Sequence, residues 1–114
     1  MNNIDVSIIP SFNYFDIEGR LDTEGIINLQ SNIDHQMHYG SKHFVFDLSK
    51  LNYLNSSALR IFIKTQKQLK LVDGFLLILS PSKSINDLLQ MSELIELLRV
   101  KNSMHEVMNE IKLS

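Results

Sequence analysis

Apolar residues along this chain fall into two patterns that take turns. Dense short runs occur at Ile4–Ile9, Phe12–Ile17, His43–Leu48 and Phe75–Leu79, and between them lie longer stretches with apolar residues three and four apart. Dense runs bounded by turn-formers predict strands, and the wider spacing predicts helices. Pro10-Ser11 joins the first two runs as a hairpin, with proline at a bend that needs no ladder donor. From Thr23 to Tyr39 the residues Ile26, Leu29, Ile33 and Met37 form a helical stripe. Asp22 or Thr23 can cap its start, Gly25 weakens it by about 1 kcal/mol relative to Ala, and Gly40-Ser41 can end it.

The stretch 52–60, Asn-Tyr-Leu-Asn-Ser-Ser-Ala-Leu-Arg, organises the rest. It follows the 43–48 strand and opens a helix over Ser56 to Val72, with Leu59, Phe62, Ile63, Leu69 and Val72 on one broad face. Lys64, Lys67, Gln68 and Lys70 fall elsewhere, on a solvated side. Asn55 suits the N-cap because its side-chain oxygen can accept from free N–H groups of the first turn. Leu54 and Leu59 then stand at the spacing of a hydrophobic staple. Residues 49–54 read as a loop and 18–22 as a turn. Asp73-Gly74 breaks the helix, and Phe75–Leu79 reads as a parallel-type strand buried on both faces.

Pro81 and Ser82 start a short helix whose Ile85, Leu88 and Leu89 face inward. Residues 93–100 carry no single period and read as a turn followed by a short strand at Leu97 to Val100. Ser103 to Glu106 matches a capping box, and Met104, Val107, Met108 and Ile111 form the inward stripe of a last helix. The order β-β-α-β-α-β-α-(β)-α predicts an α/β domain, a mixed and mostly parallel sheet of four to five strands covered by about four helices. No repeat or linker divides the chain, so one domain spans 1–114.

Composition narrows the function. With 114 residues, 44% of them hydrophobic, the chain builds one core. A net charge of −2 and a pI near 6.0 give no sign of nucleic-acid or anionic-membrane binding. The absence of Cys excludes disulfides and thiolate metal sites. Met1–Asp5 has no basic n-region, and the longest purely apolar run, Phe75–Leu79, is far short of the roughly 20 residues of a membrane span. The expectation is a small soluble domain of the cytoplasm.

Candidate chemistry concentrates at Ser56 and Ser57, at N1 and N2 of the predicted helix. There the free N–H groups and the helix dipole favour an anion. A phosphoserine would add about −1.5 to −2 charges without unwinding the helix. Locally, a serine pair is also ordinary at a helix start. Ser56 as a nucleophile lacks a G-x-S-x-G elbow and a base marked by motif. Asp34-His35 and His38 could share a helix face and hold a metal, but two His and one carboxylate fall short of a zinc motif. Arg60 lies one turn beyond Ser56 on the same side, within reach of a phosphate or of a partner's carboxylate.

Three stretches together resemble the STAS domains of bacterial anti-sigma factor antagonists. Phe46-Asp47-Leu48-Ser49 followed by Leu54-Asn55-Ser56-Ser57-Ala58-Leu59 is similar to that family's D-L-S strand end and D-S-S-G-L helix start. Glu18-Gly19-Arg20-Leu21-Asp22 is similar to its G-E-L-D turn. Ser80-Pro81-Ser82 through Leu88-Leu89-Gln90-Met91-Ser92-Glu93-Leu94 is similar to its S-P-x-V-x-x-L-F-x-x-S-G-L segment. The resemblance implies a non-enzymatic switch. The unphosphorylated antagonist binds an anti-sigma factor that is also a serine kinase, phosphorylation blocks binding, and a metal-dependent serine phosphatase reverses it.

By position the phosphorylated residue is Ser56, with Ser57 beside it. The implied partner surface is the 18–22 turn, the 49–54 loop and the helix start: Glu18, Arg20, Asp22, Asn52, Asn55, Ser56, Ser57, Ala58 and Arg60. No cofactor and no metal are expected. Asn55 stands where the family has Asp, which keeps the cap and removes a charge beside Ser56. Ala58 stands where it has Gly, and its methyl is expected to alter a partner contact while leaving the fold intact. A STAS scaffold or adaptor that is never phosphorylated, serving a signalling or transport complex, is the alternative.

Overall fold

The computed structural model describes residues 12–113. The predicted strand Ile4–Ile9, and with it the opening hairpin, lies outside the described residues. The elements are β1 (Asn13–Asp16), β2 (Gly19–Leu21), α1 (Thr23–His38), β3 (His43–Asp47), β4 (Leu51–Leu54), α2 (Ser56–Lys70) and β5 (Phe75–Leu79). They continue with α3 (Lys83–Met91), a 3-10 turn (Glu93–Leu97), β6 (Arg99–Lys101) and α4 (Met104–Leu113). Among the described residues four strands form one sheet in the order β1-β3-β5-β6, and β2 and β4 form a second, smaller sheet. Among the described strands every pairing is parallel.

Alternation along the two central strands sends side chains into two cores. Phe44 and Phe46 of β3 and Leu76 and Ile78 of β5 face α1, α2 and α3, where they meet Ile33, Phe62, Leu69, Ile85 and Leu89. Val45, Phe75, Leu77 and Leu79 face the other way, onto Val107 and Ile111 of α4. β5 is buried along its whole length, which is why it reads as one unbroken apolar run. On the first face Phe15, Phe44, Phe46 and Phe62 pack in a chain of ring contacts with centroids 5.0–5.4 Å apart. Truncating one of the buried rings costs about 3–5 kcal/mol.

The helix stops are as informative as the starts. α1 closes with Gly40 N–H donating to the Met37 carbonyl and Ser41 N–H to the Gln36 carbonyl, a Schellman motif with Gly40 at φ 84°. After α2 the same pair of bonds runs from Asp73 to Lys70 and from Gly74 to Leu69. Here the left-handed residue is Asp73, at φ 61°, and not the glycine. Gly74 is glycine for another reason: a Cβ on it would sit 1.9 Å from the Lys42 carbonyl oxygen. That carbonyl accepts the Phe75 N–H that begins the β3–β5 pairing.

Several expectations need correction. The 18–22 turn and the 49–54 loop each contain a strand. The last strand is Arg99–Lys101, and a 3-10 turn occupies most of the segment before it. α2 ends at Lys70, so Val72 lies beyond it and is half exposed. Leu88 and Met104, expected inward, are exposed at 45% and 39%. α3 is anchored by the buried Ile85 and Leu89, and α4 by the buried Val107 and Ile111 with Met108 packed beside them.

Candidate interaction surface at the start of helix α2

β2 and β4 build the site. Their register pairs Arg20 with Tyr53 and Leu21 with Leu54, with an irregularity between Gly19 and Arg20. The residue after each strand is a helix cap. Asp22 accepts from Gly25 N–H at 3.3 Å to start α1, and Asn55 accepts from Ala58 N–H at 2.9 Å to start α2. Because Leu21 and Leu54 are register partners, the two helices begin side by side at one edge of the domain. Both caps are extended in backbone and satisfy one free first-turn donor each.

Ser56 and Ser57 occupy the first two positions of α2, and both are exposed. Among the described residues no group holds either hydroxyl. The first turn of α2 contains no acidic residue, whereas that of α1 contains Glu24. The positive end of the α2 dipole therefore stands uncompensated beside an accessible hydroxyl pair. Ala58, one residue on, is fully buried within the main core. Its methyl packs inward, and the outer face at this turn is made by the two exposed serines.

The flanks are tied to one another. The Arg20 guanidinium lies 4.1 Å from the centroid of the Tyr53 ring, a cation–π contact across the β2–β4 pair. Lys50 bridges to Glu18 at 3.3 Å and to Asp16 at 3.5 Å, joining the turn before β2 to the turn before β4. Glu18 first, and Asp16 with it, raises the Lys50 ammonium above the ordinary lysine range. Glu18, Arg20, Asp22, Asn52 and Arg60 are all exposed, and the paired strands place the first four along the edge from which the helices rise.

Beneath this edge Asp47, at the end of β3, is nearly buried. Burial pushes its carboxyl up. Hydrogen bonds from the Tyr14 hydroxyl and from Ser49, whose N–H donates at 2.9 Å, together with nearby Lys50, outweigh that and hold it below the usual carboxylate range. The same bond to Asp47, then burial, lifts the Tyr14 hydroxyl to about 12. Asp47 thus pins the β3–β4 turn from below. Tyr14, Lys50 and Tyr53 were missed from sequence. Their roles arise from contacts between residues distant in sequence, which leave no local signal.

The D-H-x-x-H pair lies far along α1, in its last turn, where His35 and His38 pack edge-on against Tyr39 at 4.9 and 5.4 Å. Among the described residues no group of three or more His, Asp or Glu side chains is placed to hold a metal ion. No helix among them is long and apolar enough to cross a membrane.

The structure is a parallel α/β domain with helices on both faces of its main sheet, an exposed serine pair on a capped helix start and a tied polar edge around it. The chain belongs to the STAS domain family, whose model matches residues 3–107. It is 25% identical over 87 residues, 76% of this chain and 75% of the relative, to a Bordetella bronchiseptica protein named anti-sigma factor antagonist BtrV. The fold is similar to the unphosphorylated form of the anti-sigma factor antagonist SpoIIAA, with TM-score 0.68, 16% identity and 87% of each chain covered. It is similar to the phosphorylated form of SpoIIAA, described as a Bacillus cell fate determinant, with TM-score 0.64, 18% identity and 82% and 86% covered. It is also similar to the protein TM1081, with TM-score 0.78, 18% identity and 89% and 82% covered.

Proposed function

We propose that this protein is an anti-sigma factor antagonist of the cytoplasm that works by partner switching. Unphosphorylated, it binds an anti-sigma factor that is also a serine kinase, and the sigma factor is released. Phosphorylation of Ser56 blocks that binding, and a metal-dependent serine phosphatase restores it. The observation that carries the reading is Ser56 itself, exposed at the first position of a capped helix with no acidic residue in its first turn. A phosphate there meets free N–H groups and a favourable dipole, so the fold tolerates it. A partner that must desolvate the same patch does not, because the charge would be buried unpaired. The names of BtrV and SpoIIAA, including a phosphorylated SpoIIAA, support this reading.

The alternative is a STAS scaffold or adaptor that is never modified, and Asn55 favours it: a neutral cap removes one acidic determinant beside the serine. Phosphosite mapping by mass spectrometry on protein from its own cells, growing and stressed, separates the two. Occupancy at Ser56 that changes with condition is the expected result. A protein unmodified in every condition refutes the switch and leaves the scaffold.

A further inference from the structure

α2 continues past the serines as a surface of a different kind. On a helix of 3.6 residues per turn, Ser56, Arg60, Lys64, Lys67 and Leu71 follow one stripe at i, i+4, i+8, i+11 and i+15. The stripe runs roughly 22 Å, at about 1.5 Å per residue. Below Ser56 it borders a groove of about 450 Å³ lined by Arg60, Ile63, Lys64, Lys67, Gln68 and Leu71. Ile63 is nearly buried and forms the floor, whereas Leu71 is 86% exposed and forms an apolar lip at the far end.

Charge selects the occupant. Between Ser56 and Lys70 the helix has Arg60, Lys64, Lys67 and Lys70 and no Asp or Glu. Every cation that takes part in a described ion pair lies elsewhere, at Lys50, Lys83, Arg99 and Lys101. The four α2 cations thus stand without a carboxylate partner among the described residues, in a chain whose net charge is −2. An apolar floor flanked by cations along a helix axis complements an apolar stripe flanked by carboxylates.

We infer that this groove docks an acidic amphipathic helix of a partner protein, end-on to Ser56. The inference rests on the partner-switching reading and extends it. A phosphate at Ser56 would stand at the head of the stripe and repel the acidic helix. One modification would thereby act along the whole groove.

The probe is a fluorescein-labelled, hydrocarbon-stapled peptide with Leu at helical spacing on one face and Glu on both flanks. A peptide of scrambled order and identical composition is the control. The peptide is expected to bind the full chain, more weakly in about 0.5 M than in about 0.05 M salt, and to shift the amide resonances of Arg60, Ile63, Lys64, Lys67 and Leu71. Lys64→Glu with Lys67→Glu is expected to weaken binding about tenfold or more, with the thermal midpoint lowered by no more than about 4 °C, because both residues are exposed and only Lys67 lies in the last turn, where the dipole acts. Ser56→Asp is expected to weaken it as well.

Equal binding of the scrambled peptide, an unaffected charge-reversed variant, or shifts confined to another face overturns the proposal. So does a DNA duplex or a phosphatidylglycerol vesicle that binds through these residues more tightly than the peptide. A modified Ser56 with a peptide that ignores the groove removes the groove alone. A groove that binds the peptide in a protein never modified at Ser56 removes the switch alone.

Discussion

Ser56→Asp should move stability and binding in opposite directions, and the structure sets both magnitudes. Ser56 is exposed, its hydroxyl is held by no described group, and the first turn of α2 has no acidic residue. A carboxylate there gains about 0.3–1 kcal/mol from the helix dipole at low ionic strength. For a domain of this size that raises the thermal midpoint by roughly 1–4 °C. Under the proposed partner switch the same charge would be buried unpaired at the interface, which costs about 2–5 kcal/mol, or roughly 30- to 5,000-fold in affinity. The assay is thermal unfolding by circular dichroism at low and high salt, together with titration against the anti-sigma factor. Ser56→Asn is the uncharged control. The stability gain should shrink in about 1 M salt and vanish below about pH 3.9, where the carboxyl is protonated. A midpoint lowered by more than about 2 °C refutes the dipole argument. Asn weakening the complex as much as Asp refutes the charge argument.

Four further outcomes follow from the packing and hydrogen bonds of the fold. Asn55→Ala removes the bond to Ala58 N–H and should cost about 1 kcal/mol of unfolding free energy, while Asn55→Asp keeps the cap and should gain up to about 1 kcal/mol from the dipole, both measured by urea denaturation. Ala58→Gly should cost about 1–2 kcal/mol, from helix propensity and a lost buried methyl, and should leave partner affinity unchanged once folded protein is counted. Gly74→Ala should destabilise by about 3 kcal/mol or more in the same measurement, because the methyl meets the Lys42 carbonyl at the root of the β3–β5 pairing. His43 has a buried Nδ1 with no hydrogen-bond partner among the described residues and stacks on Phe75 at 4.4 Å, and burial first, then Lys42, lowers its pKa below 6.5. Its depressed folded pKa means that stability is full above about pH 6.5 and declines as pH falls toward the folded value. His43→Phe should flatten that decline in midpoint measured across pH.

The long elements were legible because each buries one face and carries its own punctuation. α2 announced itself through Asn55, the Leu54–Leu59 spacing and the Phe62–Ile63–Leu69 face, and the caps at Asp22, Asn55 and Ser82 are made by the side chains the sequence offers. β2 and β4 were not legible. With three and four residues, and with Arg20, Asn52 and Tyr53 partly or fully exposed, they lack the alternation that identifies a strand. Their strand character comes from each other, through a parallel register formed only after α1 has crossed between them. The serine pair was therefore visible in the sequence, but its setting was not. The Arg20–Tyr53 contact and the Lys50 bridges belong to tertiary register alone.

The two departures from the family's helix-start pattern bear on different parts of the molecule. Asn55 faces its own helix and does the work of a cap, since its oxygen accepts from Ala58 N–H at 2.9 Å. An amide performs that bond about as well as a carboxylate, so what the exchange removes is charge beside Ser56 and not structure. Ala58 faces inward and is wholly buried, in the core that also holds Phe62 and Leu59. Its methyl adds apolar contact to the helix start without adding anything to the outer face. Stability at this turn is thus carried by Asn55 and Ala58, and accessibility by Ser56 and Ser57. Charge can be added to the exposed pair without disturbing the cap or the buried methyl, which is the separation a phosphorylation switch requires and a packed structural serine would not permit.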